Sequence, residues 1–171
     1  MVEHLRQLAN YHGESKEKAA QKYWLEVLRE VKNIPQEDVA RALLTQGRRC
    51  WEKKHERRIS LTLEAFRHAA SLQEASPDLR AKALLWAAQI ETKRDRRQQA
   101  LELLEEIWRL PKVSVRRLHQ SLIKKAELFF AMRQEPLGKA CLRAVQLAKN
   151  VAPKLKENAV LLLAKHDGGP T

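Results

Sequence analysis

Six histidines, two cysteines and 21 carboxylates are the groups in this 171-residue chain that do acid–base, nucleophilic or metal chemistry elsewhere. Their spacing assembles none of it. His4, His12, His55, His68, His119 and His166 are scattered without a repeated helical offset, so each reads as a surface or turn residue. Cys50 and Cys141 lie far apart inside amphipathic runs, outside any CxxC pair and with no histidine at ligand spacing. They read as reduced, core or half-buried thiols of a cytoplasmic protein. The adjacent Glu105 and Glu106 sit near the end of an amphipathic run and read as a solvated face. There is no glycine-rich phosphate loop, HExxH, GxSxG or EF-hand pattern, and no nucleophile stands beside a base. The expectation is a protein that is not an enzyme and holds no cofactor and no metal.

Basic clusters are the informative polar feature. Lys and Arg number 33 against 21 acidic residues, a net charge of +12. Residues 112–171 carry 12 basic and 4 acidic residues, whereas the first 111 carry 21 and 17. Arg48, Arg49, Lys53, Lys54, Arg57 and Arg58 surround one expected turn; Lys93, Arg94, Arg96 and Arg97 occupy a second; Arg133 lies near a third. Arg116, Arg117, Lys124 and Lys125 add charge on a helix. A surplus of this size attracts polyanions or acidic protein surfaces. The plainer reading is a set of solvated turns, with Glu52, Glu56 and Asp95 interleaved.

The elements that must position these residues are helices. Leu, Ala, Glu, Lys, Arg and Gln dominate, while glycine (5), proline (6) and aromatics (5%) are scarce. The periodicity predicts a short helix over Val2–His12 and a second from Ser15 to Val31. A third opens after Pro35 and runs to about Lys54, and a fourth covers Ile59 to Leu72. Ser76-Pro77-Asp78 starts a fifth, KRDRR interrupts it, and a sixth ends at Pro111. Ser114 caps a seventh, the turn MRQEPLG leads into an eighth, and Pro153 opens a last one. No run of 18 apolar residues is present and the N-terminus has no apolar signal region.

The helix starts at Pro35, Pro77 and Ser114 lie 42 and 37 residues apart, an internal repeat in the range of stacked helical hairpins. Within it, Ala87–Pro111 resembles one tetratricopeptide repeat: Ala88 falls at the small residue of the first helix, Asp95 at the turn, Ala100 at the small residue of the second helix, and Pro111 near the closing proline. Gly47 and Cys50 fit the same pattern, with Ile59 at the place of Ala100, and Ala140 stands there in the third copy. The resemblance spans about residues 35–150. It implies a concave groove, lined by the first helix of each pair, that holds a peptide or a partner helix. The places that clamp a terminal carboxylate in such proteins correspond to Leu44 and Arg48, Leu85 and Gln89, and Lys125 and Phe129. Leucines stand where that clamp has a cation, so what the resemblance implies here is a general interaction scaffold. Trp86, off the apolar stripe of Ala83, Leu84, Ala87 and Ile90, is a candidate anchor in the groove.

The expected architecture is therefore an all-α, right-handed αα-solenoid of about eight or nine helices, tetratricopeptide-like, in one domain over 1–165. Its hairpins lie at about 35–74, 77–110 and 114–149, with a capping helix over 152–165 and a disordered tail at 166–171. The expected function is a non-catalytic adaptor gripping a peptide or helix through Arg48, Trp86, Gln89 and Lys125. A basic edge of Lys53, Lys54, Arg57, Arg58, Lys93, Arg94, Arg96, Arg97 and Arg133 favours acidic partners. The alternative uses that same edge to contact RNA or DNA phosphates.

Overall fold

A computed structural model describes residues 34–52 and 59–167. The two helices expected before Pro35, the side chain of Cys50, and Lys53, Lys54, His55, Arg57 and Arg58 lie outside the described residues. Among those described, the chain is all-helical, with seven helices and no strand: α1 (Gln36–Glu52), α2 (Ile59–Ser71), α3 (Pro77–Lys93), α4 (Arg97–Arg109), α5 (Val115–Ala131), α6 (Glu135–Leu147) and α7 (Pro153–Asp167). No helix is long and apolar enough to cross a membrane.

Helix lengths alternate. α1, α3 and α5 each have 17 residues, and α2, α4 and α6 each have 13. The shorter helices begin at 59, 97 and 135, and α3, α5 and α7 begin at 77, 115 and 153, so both series advance by 38 residues. Only α1 departs, because the connection from α1 to α2 is three residues longer than its counterparts. This period replaces the expected spacings and moves the matching positions. The counterparts of Ala100 are Thr62 and Gly138, not Ile59 and Ala140; all three are small and buried, whereas Ala140 is exposed.

Two boundaries differ from expectation for local reasons. α6 starts inside the segment read as a turn, because Pro136 occupies its first turn, where a missing N–H costs nothing. Gly138 is thus a helical residue. α7 continues two residues past Lys165, where Asp167 pairs with Lys139 at 2.8 Å and the His166 ring stacks on Phe130 at 3.7 Å. Ser114 takes the N-cap position of α5 with extended backbone but makes no side-chain capping bond.

The described chain divides into two compact units, with the boundary inside α3 between Ile90 and Glu91. In the first, α1 packs on α2 where Gly47 leaves room for Phe66: a Cβ at Gly47 would lie 2.5 Å from that ring. Phe66 is fully buried and stacks with Trp86 of α3 at 6.1 Å between centroids. The start of α1 holds the α2–α3 loop. Glu74 donates its N–H to Gln36 Oε1 at 2.9 Å, and Ser76 donates its N–H to Glu37 Oε2 at 2.6 Å and its hydroxyl to Glu37 Oε1 at 3.3 Å. The Ser76 side chain, expected to cap α3, is engaged there instead. In the second unit α4, α5, α6 and α7 each pack on the next, and α5 also touches α7. Ile123 and Ala126 of α5, Leu142 and Val145 of α6, and Ala159 and Leu163 of α7 form its core.

Two predictions follow from the first unit. Gly47→Ala is expected to lower stability by up to about 2 kcal/mol in denaturant unfolding, because overpacking a buried ring costs ~1–3 kcal/mol against a helix-propensity gain of ~1 kcal/mol. Adding Phe66→Leu should recover part of the loss. The hydrogen bond from the Ser76 backbone lowers the Glu37 carboxyl below its ordinary 4.5, with the Ser76 hydroxyl and Arg41 helping against partial desolvation. The folded-state value lies below the unfolded one. Its stabilisation is therefore complete above that ordinary value and is lost as pH falls through the lowered one. The stability gap between the native chain and Glu37→Gln should be present at neutral pH and close in acid.

Candidate interaction surface

Two helix-to-helix corners carry the residues of the expected basic edge that fall in the second unit, and both are built the same way. α3 ends with Asp95 N–H donating to Thr92 O and Arg96 N–H to Glu91 O; α5 ends with Arg133 N–H donating to Phe130 O and Gln134 N–H to Phe129 O. These paired bonds are a Schellman cap, which requires a left-handed residue just past the helix. Asp95 and Arg133 fill that place at φ 59° and 60°. The next residue, Arg96 or Gln134, is already the N-cap of the following helix. Three residues thus reverse the chain. A left-handed conformation suits glycine or asparagine and penalises a long side chain.

The corners also touch each other. Arg97, first residue of α4, donates from Nη1 to the Ala131 carbonyl at 2.5 Å, satisfying one of the last open carbonyls of α5, and pairs through Nη2 with Asp95 at 2.8 Å. This contact sets the 94–97 corner beside the 131–134 corner on one edge of the unit. Arg94 reaches Glu91 at 3.5 Å. Lys93, Arg96 and Arg133 are exposed.

The expected groove residues are placed differently. By helix starts, Leu44 and Leu85 match Ile123, and Arg48 and Gln89 match Glu127; Lys125 and Phe129 lie two places off that register. Leu44 and Ile123 are buried. Lys125 is buried too: its ammonium pairs with Glu105 and lies 5.7 Å over the Trp108 ring. Trp108 donates from Nε1 to Ser121 Oγ at 2.9 Å, and Ser121 donates on to Leu118 O at 2.8 Å. Lys125 therefore belongs to a polar seam between α4 and α5. Trp86 is half-buried against Phe66, Gln89 is half-buried, and Arg48 is exposed.

Among the described residues, no three His, Cys, Asp or Glu side chains meet as a metal site. His119, expected at the surface, is buried; its Nδ1 has no hydrogen-bond partner in the protein, and desolvation lowers its pKa. Burial raises the Cys141 thiol, which keeps it protonated and unreactive. The Arg97 contact was not readable from sequence, because it depends on the three-residue corner length.

Arg133→Gly tests the corner directly. It is expected to relieve a left-handed penalty of about 1 kcal/mol and raise or leave unchanged the melting temperature, while removing an exposed cation. A clear loss of stability would show that the Arg133 side chain holds the corner. No known protein-family model and no characterised protein sequence matches this chain.

Proposed function

We propose that the chain is a non-catalytic interaction scaffold, a tetratricopeptide-like solenoid of stacked helical hairpins, whose arginine-bearing edge binds an acidic segment of a partner protein. The observation that carries this reading is the Arg97–Ala131 contact, which sets two cationic corners side by side. Arg96 and Arg133 project from that edge, and Arg133 keeps a left-handed backbone that a glycine would adopt at less cost. A strained position occupied by an exposed cation is better explained by a role in binding than by folding. The 38-residue recurrence of helix pairs supports the repeat architecture.

Acidic protein is favoured over nucleic acid because, among the described residues of these corners, no exposed aromatic accompanies the two arginines to stack on bases. The test is retention of partners from extract by the full chain, with and without nuclease, beside an Arg96→Glu/Arg133→Glu double variant. Retention should survive nuclease, and affinity for an isolated acidic partner should fall about tenfold in the variant, since two charge reversals cost ~1–2 kcal/mol. The melting temperature should stay unchanged. Retention abolished by nuclease, with generic RNA binding that collapses between low and physiological salt, would replace this reading with the nucleic-acid one.

A further inference from the structure

α7 has the register of a first helix but the neighbours of a last one. On α5, the residues eight and eleven places after the helix start are Ile123 and Ala126, buried against Leu142 and Val145 of α6 and Ala159 and Leu163 of α7. The same places on α7 are Leu161 and Ala164. Leu161 is 63% exposed, Ala164 is exposed, and the adjacent Val160 is 46% exposed. At 100° per residue Val160, Ala164 and Leu161 lie about 80°, 120° and 180° around the helix from the midpoint of Ala159 and Leu163, which face the core. α7 is thus apolar on two faces and uses one of them.

We propose that the outward face of α7 docks an acidic amphipathic helix from a partner protein, seated on α7 as α6 sits on α5. The shape requirement comes from the fold itself. A helix fitting a first helix in this chain carries a small residue near its start, as Thr62 on α2 and Gly138 on α6 show. Four places further on it carries a large side chain, Phe66 or Leu142, and in α6 Val145 follows at the seventh. The charge requirement comes from the rims. Lys156 borders the stripe on one side and Lys154 and Lys165 border it on the other, all exposed. Glu157 is the single acid within the stripe, and Asp167 is already paired with Lys139. A second copy of α7 is a poor occupant, because an antiparallel pair would set Lys154 of each chain near Lys165 of the other. The stripe is also short of large side chains and without an aromatic, which disfavours a lipid surface.

The probe is a synthetic peptide copying Glu135–Leu147 with Lys139→Glu, Cys141→Ala and Arg143→Glu. It is stapled between positions 140 and 144, both solvent-facing in the chain, because 13 residues alone form little helix. The full chain should bind it saturably at one site and more tightly than the stapled peptide that keeps Lys139 and Arg143. Leu161→Asp should weaken binding at least about tenfold without moving the melting temperature, since Leu161 is exposed. Arg96→Glu/Arg133→Glu should leave peptide binding unchanged, so failure here is separable from failure at the corners. The proposal is overturned by absence of saturable binding, or by Leu161→Asp binding as well as the native chain. It is equally overturned by self-association of the native chain, or binding to phosphatidylserine vesicles, that Leu161→Asp abolishes.

Discussion

Close approach of helix to helix, with an aromatic ring laid where a side chain is missing, is the constraint from which the rest follows. Phe66 occupies the space above Gly47, and Phe130 lies where a Cβ on Gly138 would come within 2.8 Å. Rings in those places cover backbone that would otherwise be wet and fill the volume between helices at interior density. Where helices are joined by three residues, as α3 to α4 and α5 to α6 are, a reversal that short demands a left-handed residue and a shared cap. Asp95 and Arg133 meet the first demand; Arg96 and Gln134 meet the second. Cations placed in such corners cannot retreat into the structure. The corners thus fix where Arg96 and Arg133 are exposed, while the packing itself does not require a cation at either place.

Burial also decides what the remaining polar residues do. Lys125 keeps only a tenth of its side chain exposed, so its ammonium is partnered by Glu105 and the Trp108 ring more than by water. Ser121 is fully buried and satisfies its hydroxyl by donating to Leu118 while accepting from Trp108. These residues hold α4 to α5. Their types resemble those of a binding site, and their geometry is that of an interhelical seam. The contrast with the corners is physical: seam groups find partners within the chain, whereas Arg96 and Arg133 point outward.

The boundaries of α2, α3, α4 and α5 were legible because Pro77, Pro111 and the apolar periodicity mark them strongly. The start of α6 was not, since Gly138 reads as a turn residue unless the ring of Phe130 is known to need its space. Register between repeats was misjudged for a related reason. Thr62, Ala100 and Gly138 share smallness rather than identity, and Ala140 offered a nearer chemical match two places away. Lys125 was drawn into the candidate groove by that same two-residue slip. The cluster Lys93 to Arg97 was visible as a charged interruption, but its proximity to Arg133 depends on the Arg97–Ala131 bond. No linear pattern announces a bond between a side chain and a carbonyl 34 residues away. The half-used face of α7 shows the same limit: its sequence is evidently amphipathic on both sides, while which side is covered is a property of the packed unit.

The account stands on the two corners acting as one surface. Titrating the full isotope-labelled chain with polyglutamate, which has charge but no apolar face, and following backbone amides by NMR addresses this most directly. Shifts should concentrate at residues 93–97 and 131–134 and rise together along a single binding curve. Shifts of equal size spread over all the cationic helices, or confined to residues 154–165, would contradict it.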